Sequence, residues 1–440
     1  MKKVLLSVLI GIFAFCFINA VQAQSQPIEE PVKTELEEVK DDVENNATEI
    51  RRLKRFKVSG YIQTQFEVGQ EFASTRVGAS REYNKDRDGE SGNFFRFGIR
   101  RGRIKFTWEE KFGSAVFQLD ITERGVSFKD VYFQVSEPWL KIASLTVGIF
   151  DRPFGDEITY SSSRRESPER TILFGDLFPD ERDLGAMATL AGSKGSPIEG
   201  LKLNAGAFCG NGIAVPDNGK MDFIGRLSYG KRWSKVRFGV GASMYYGTVR
   251  NIDTFLYTVQ NGVWEREQIE KNQKNVRQYY GLDAQFAIQS SWGITNIRGE
   301  VLFGQQPSQA GNFRSPNTSA MQFAASYNYI RNFWGAHAYF VQDIYNTPLT
   351  IVLKYAYMNP NTKIDSENIT RRTDLSYNYL GFGLLVRCTS NLRLMCYYDM
   401  PINSKNNEIP VTESPIKINP LDFSEQVKAG VFTCRLQYRF

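Results

Sequence analysis

Histidine and clustered cysteine are scarce in this chain of 440 residues: it has one histidine, His337, and 5 cysteines. No Cys-x-x-Cys pair occurs, which argues against a zinc or thiol-redox centre, since such ligands come as clustered Cys and His. A lone histidine with no motif around it also speaks against a Ser–His hydrolase, and His337 reads as a packing or lumen residue. Barrel proteases can use Asp and Glu instead, but the sequence offers no such cluster to nominate, so an enzyme is not expected and no cofactor is implied. Long apolar runs are missing beyond residue 18, and mean hydropathy is -0.37. A helical membrane protein needs runs of about twenty apolar residues, so that class is excluded. Yet aromatics make up 13% of the chain, with 32 Phe and 21 Tyr. The hydrophobicity is present, but it is distributed by alternation.

The last strand shows the pattern best. Phe432, Cys434, Leu436, Tyr438 and Phe440 fall on one face, and Thr433, Arg435, Gln437 and Arg439 on the other. A terminal strand that is apolar and aromatic on one side and basic on the other suits a wall between lipid and water, the signature of an outer-membrane β-barrel. The same period of two recurs from Phe56 onward. Val58, Ile62, Phe66 and Val68 oppose Lys57, Ser59, Tyr61, Gln63, Gln65 and Glu67; Tyr280, Leu282, Ala284 and Phe286 oppose Arg277, Asp283 and Gln285. Short links near 110–113, 234–235, 290–292, 346–348 and 389–391 alternate with long polar links near 69–93, 151–182, 250–275, 307–334 and 401–424. Short turns on one side and long loops on the other are the outer-membrane arrangement. The spacing predicts an all-β transmembrane barrel over 56–440 with about 16 antiparallel strands, wide enough for an aqueous channel. Residues 321–331 read as either loop or strand. A soluble β-sandwich would not need lipid-facing aromatics or a terminal aromatic.

The N-terminus reads as an export signal over 1–23. Lys2 and Lys3 precede an apolar run from Val4 to Ile18, and Val21-Gln22-Ala23 is a small-residue cleavage site. The run is short for a bilayer span, and Phe15 before Cys16 is too bulky for lipoprotein processing. Residues 24–55 differ from all that follows. Leu36, Val43 and Ile50 occupy a, and Val32, Val39, Asn46 and Leu53 occupy d, of a heptad seam. Pro27 and Pro31 stand at its entrance, where proline is tolerated. A short N-terminal coiled-coil helix is expected here, oligomerising on the periplasmic side, with Asn46 fixing register. The bland alternative is a solvated, charged spacer.

Net charge is +6. Such a balance can mean nucleic-acid binding, but the arginines mostly fall on polar strand faces or in loops, which points to a basic, water-filled interior. Cys209, Cys388, Cys396 and Cys434 fall with the apolar set as small hydrophobes, and Cys396 and Cys434 are candidates for neighbouring strands. The link from Asp151 to Arg182 is dense in arginine: Arg152, Arg164, Arg165, Arg170 and Arg182, with Asp156, Glu157, Glu166 and Glu169 as candidate internal partners. Folded inward, it would make a basic constriction, because guanidinium forks match oxyanions and basic rings select anions.

Phe95-Arg96-Phe97-Gly98-Ile99-Arg100-Arg101-Gly102-Arg103-Ile104, Gln118-Leu119-Asp120, Lys129-Asp130-Val131-Tyr132-Phe133, Val147-Gly148-Ile149-Phe150-Asp151-Arg152-Pro153-Phe154-Gly155, Ser161 to Ser163, Glu169-Arg170 and Arg182-Asp183-Leu184-Gly185 follow one another in order. In order and spacing these segments resemble the phosphate-selective porin family, the O and P porins, from about Phe94 to Gly212 and again in the last hundred residues. The resemblance implies a homotrimer of sixteen-stranded barrels in the outer membrane of a Gram-negative bacterium, with Arg100-Arg101 lining the narrow zone and the arginine loop folded into the lumen. Strand parity puts Arg96 and Arg100 inward, and Arg103 and Lys105 inward in the other register; a bulge near Arg101-Gly102 would reconcile them. After Phe150 the family commonly has Lys, where this chain has Asp151. The pore is therefore expected to be general or anion-leaning, with phosphate one candidate solute. The expected partners are outer-membrane lipid, small anionic or neutral solutes, and the barrel-assembly machinery that reads the C-terminal strand, with no nucleic acid. A barrel enzyme, a structural or adhesive barrel, and a plugged transporter are the alternatives; the segment before Phe56 is too short for a plug.

Overall fold

The structure, a computed structural model, describes residues 35–73, 94–213, 219–315, 329–409 and 422–440. The export signal with Cys16, and Pro27, Pro31 and Val32 of the heptad segment, lie outside the described residues. The chain divides into two compact units after Lys54.

In the first unit the heptad segment is helical: α1 spans Glu35–Leu53. Val39, Val43, Ile50 and Leu53 are each more than half exposed. These heptad positions are therefore apolar and exposed. Of Leu36 only the backbone is described.

The second unit is a closed antiparallel barrel. Its strands are β1 (Phe56–Gly69), β2 (Phe94–Glu110), β3 (Gly113–Thr122), β4 (Gly125–Ser136), β5 (Ala143–Asp151), β6 (Arg182–Ala191), β7 (Leu201–Phe208), β8 (Asp222–Arg232) and β9 (Val236–Arg250), then β12 (Lys274–Ser290), β13 (Gly293–Ser308), β14 (Tyr329–Asp343), β15 (Leu349–Asn359), β16 (Tyr377–Arg387), β17 (Leu392–Asn403) and β18 (Val431–Arg439). β10 (Phe255–Gln260) and β11 (Val263–Gln268) pair with each other as a hairpin in the link between β9 and β12. The long polar link expected there thus carries structure of its own. Sixteen strands form the wall. β1 pairs with both β2 and β18, so no edge is left open. Closure gives each wall strand a partner on both sides, the condition for crossing lipid with strands. At the seam the amide of Gly60 donates to the Phe440 carbonyl at 3.0 Å, and the Phe440 amide to Gly60 at 3.1 Å. A Cβ at position 60 would lie 2.3 Å from the Arg103 carbonyl and 2.5 Å from the Phe440 ring. The terminal aromatic therefore docks only because residue 60 has no side chain.

Burial is inverted relative to a water-soluble protein. Leu282, Phe286, Val301, Phe303, Leu353 and Leu384 are exposed on the outer face, while Gln63, Arg103, Asp283, Arg298 and Arg435 are buried on the inner one. Exposed tryptophans mark the turn end (Trp108, Trp139, Trp233, Trp292), and Phe95, Tyr246 and Trp334 stand near the long-loop end. Aromatic girdles at both rims of an apolar band are the mark of a membrane barrel. Cys396 and Cys434 do face each other across β17 and β18. Cys209 and Cys388 sit just beyond strand ends, so strand parity does not fix where they point.

Candidate functional site

The site is the lumen, and its shape is set by the link from β5 to β6, residues 152–181. This link crosses the interior and has two chemically different faces. Phe154, Ile158 and Phe178, with Leu173, Phe174 and Leu177 of the short helix α2 (Ile172–Leu177), form one face. They pack on inward-pointing Tyr245 of β9, Tyr279 of β12, Leu302 of β13, Phe333 of β14 and Met358 of β15. Ring centroids lie 5.6 Å apart for Phe178–Tyr279 and 4.9 Å for Phe154–Phe178. Fully burying an aromatic ring of this size contributes about 1.5–3 kcal/mol, so several such rings hold the loop to this wall.

The other face is ionic. Glu169 accepts from Arg100 Nε at 2.7 Å and Nη2 at 2.8 Å, from Arg101 Nη2 at 3.0 Å, and from Arg435 Nη2 at 3.1 Å. Three arginines from β2 and β18 thus grip one carboxylate of the loop. Gln63 donates to the Ser162 carbonyl at 3.1 Å and Gln437 to that of Ser163 at 2.9 Å. Arg298 of β13 binds Glu166 at 2.6 Å and lies between the rings of Tyr160 and Tyr339.

The expected bulge is present. Gln63 faces Arg101 and Thr64 faces Ile99, so Arg100 is the extra residue on β2. Both Arg100 and Arg101 consequently reach Glu169, while Arg103 and Lys105 keep the inward register.

Three adjoining cavities surround the loop. An outer one of about 530 Å³ is lined by Glu67, Lys354, Asp399 and Thr433 among others. A middle one of about 380 Å³ lies between the loop and the β2–β4 wall, lined by Arg100, Arg101, Arg103, Asp120, Lys129 and Glu181. The one toward the turn end, about 550 Å³, is lined by Lys105, Asp130, Asp151, Arg182 and Arg439. Arg103 borders the last two, and Arg170 alone among the described residues borders all three. Among the described lining residues of the turn-end cavity, the side chains of Arg103, Lys105, Arg170, Arg182 and Arg439 stand against those of Asp130 and Asp151, Phe440 lines it too, and Glu181 pairs with Arg170 and Arg182 from beside it. In the middle cavity six basic residues meet five acidic ones.

The arginines named from the sequence divide accordingly. Arg100, Arg101, Arg103, Lys105, Arg170 and Arg182 gather around these cavities, with Asp151 beside Arg182 at 3.2 Å. Arg182 also binds Asp130 at 2.9 Å and Glu181 at 2.5 Å. Arg103 pairs with Asp120 at 3.4 Å. Arg170 is paired with Glu181 and donates to the carbonyls of Glu157 and Ile158 at 2.8 and 2.7 Å, so it serves as a strut as well as a lining group. Lys105 has no acidic partner among the described residues. Arg96, Arg152, Arg164 and Arg165 do not line these cavities. Arg96 lies 3.8 Å from Glu123; Arg152 is buried against Asp183 at 3.1 Å; Arg164 stacks on Tyr160; Arg165 is buried with Nε and Nη1 unpartnered.

Internal pairing of the loop's charges, expected from its composition, is largely replaced by pairing with the wall. Glu166 and Glu169 bind arginines of β13, β2 and β18, while within the link from Asp151 to Arg182 the pairs are Arg170–Glu181, Arg182–Glu181 and Arg182–Asp151 among the described residues. Sequence reasoning also missed Lys129, Arg298 and Arg435 as site residues. Their signal was a basic residue in the inward register of a strand. His337 sits behind the loop, its ring nitrogens 3.9 Å from Glu157 and Glu300 and its ring 5.7 Å from Phe174. It faces carboxylates, as a lumen-wall residue.

No protein-family model matches the chain, and a comparison with curated proteins yields no match either. Solved structures are similar in fold at low identity. The outer membrane channel DcaP of Acinetobacter baumannii is 8% identical over 88% of this chain and 97% of that one, with a TM-score of 0.51. OmpF of Salmonella typhi is 10% identical over 88% and 97%, at 0.51. The trimer form of OmpT, an outer membrane protein of Vibrio cholerae, is 8% identical over 88% and 99%, at 0.50. The chain therefore has the fold of the outer-membrane porins, a closed antiparallel barrel of sixteen strands.

Proposed function

We propose that the protein is a channel in the outer membrane of a Gram-negative bacterium, through which small hydrophilic solutes diffuse passively, anions ahead of cations. The observation that carries the sign is the turn-end cavity, where five basic side chains face two acidic ones. The resemblance to the O and P porins makes phosphate a candidate solute, and Arg103, Lys105, Arg170 and Arg182 the groups it would meet. Arg182 already holds Asp151 and Asp130, which favours general anion preference over a tight phosphate site. A barrel hydrolase has less support, because His337 lies against carboxylates and behind the loop. Proteoliposomes carrying the protein are expected to swell in isosmotic solutions of small sugars and small anions; no swelling would mean a structural or plugged barrel.

The same reading makes the protein a homotrimer, as the trimer form of OmpT from Vibrio cholerae suggests. The α1 seam (Leu36, Val39, Val43, Asn46, Ile50, Leu53) would lie in the periplasm, and Phe440 would be read by the assembly machinery. Apolar side chains left in water favour association by roughly 25 cal/mol per Å² covered. Deletion of 27–54 is expected to lower the temperature at which the oligomer dissociates in detergent while leaving single-channel conductance intact. Oligomers of equal heat resistance after deletion would count against this role.

A further inference from the structure

The thiols of Cys396 and Cys434 have no part in the lumen, yet they face each other. Cys396 of β17 is the direct cross-strand partner of Cys434 of β18, and their sulfurs are 3.7 Å apart. Directly opposed residues of antiparallel strands have Cβ atoms about 4.5–5.5 Å apart. A disulfide needs Cβ atoms at about 3.5–4.5 Å and sulfurs at about 2.05 Å. The remaining gap is within reach of side-chain rotation and a small strand shift. Both side chains are half-buried on the outer face, between Leu394 and Tyr398 on one strand and Phe432 and Leu436 on the other. β18 is also the strand that closes the barrel on β1.

We infer that Cys396 and Cys434 form a disulfide that staples the closing seam of the barrel. An outer-membrane protein is exported through an oxidising compartment, where such bonds persist. The chemistry is thiol–disulfide exchange with a protein disulfide. One thiolate attacks the oxidant's disulfide and releases one of its sulfurs as a thiol. The second cysteine then attacks the mixed disulfide and releases the other. The two cysteines together lose two electrons and two protons, and the oxidant's disulfide becomes a dithiol. The bond would fix the register of β17 on β18 beside the seam that β18 makes with β1. Cys209 and Cys388 have no cysteine opposite them among the described residues.

The test is peptide mapping of protein taken from outer membranes and denatured in excess maleimide without reductant. Trypsin cuts after Arg393 and Lys405 on one side and after Lys428 and Arg435 on the other, giving one peptide for each cysteine. The expected result is a cross-linked pair of these peptides, lost on reduction, with Cys209 and Cys388 labelled throughout. In Cys396→Ser, the Cys434 peptide should appear labelled. Maleimide on both Cys396 and Cys434 in unreduced wild-type protein overturns the proposal, as does a cross-link from either to another cysteine. Protein folded in vitro and mapped before and after incubation with oxidised glutathione gives a second reading. The pair should pass from labelled to linked without loss of channel conductance; failure to link in the folded barrel would equally overturn it.

Discussion

Replacing Glu169 by glutamine should free one side of the lumen loop, giving a larger and noisier single-channel conductance. Glu169 is the only loop group bound by Arg100, Arg101 and Arg435 together. Removing one partner of a buried ionic cluster costs about 3–5 kcal/mol, because the charges left behind are desolvated and unpaired. The aromatic face would stay docked on β9 and β12–β15, so the opening should appear against β2 and β18. Net positive charge at the narrow zone rises by one, and anion preference should rise with it. Burial by itself would raise the Glu169 pKa, but the three arginines hold it well below the usual carboxylate range. A depressed pKa means that its contribution is complete above about pH 4.3, the free glutamate value, and fades only as pH falls through the lower bound-state value. The Glu169 tether should therefore stay intact from neutral pH down to about 4.3. Unchanged conductance and noise in Glu169→Gln would show that the ionic tether does not hold the loop.

Neutralising Arg103 and Lys105 together should remove most of the anion preference. Both point into the turn-end cavity, Arg103 also borders the middle one, and Lys105 has no acidic partner among the described residues. A unit charge about 5 Å from a permeating ion in a water-filled lumen contributes about 0.8 kcal/mol, roughly a fourfold bias per charge. The double variant Arg103→Gln, Lys105→Gln should thus lower the anion-to-cation permeability ratio by at least about an order of magnitude at low salt, since each charge acts on both ions in opposite senses, and by less as salt screens it. Asp120 is left without Arg103, which pushes in the same direction. Arg96→Gln should change the ratio far less, since Arg96 borders none of the three cavities. Equal shifts for the two variants would contradict the assignment of the narrow zone.

Much of the barrel was legible because a period of two survives any reasonable strand boundary. Phe432 to Phe440 separates lipid from water residue by residue, and the short and long links give the alternation of turn and loop. The bulge was legible too, since Arg96 and Arg103 fall in incompatible registers unless one residue is inserted. What linear reading could not supply is the pairing of the loop. Glu169 and Arg435 are 266 residues apart, and only the closure of β18 on β1 brings them together. The apolar cradle was hidden for a related reason. Tyr279 and Phe333 lie in the inward register, where polar residues were expected, and the loop's aromatics explain them only once the loop has crossed the lumen. The hairpin β10–β11 was missed although its signal is present: Asn261-Gly262 makes a two-residue turn between the β-rich stretches Phe255–Gln260 and Val263–Gln268, inside a link taken as polar loop throughout.

The central claim is a water-filled barrel narrowed by a loop against a basic wall. Its most direct test is the reversal potential of wild-type channels in planar bilayers across a salt gradient, first in chloride and then in phosphate. Stepwise, steady openings are expected, with a reversal potential displaced toward the anion's equilibrium value in both salts. Bilayers without steps, or a reversal potential on the cation side, would contradict it.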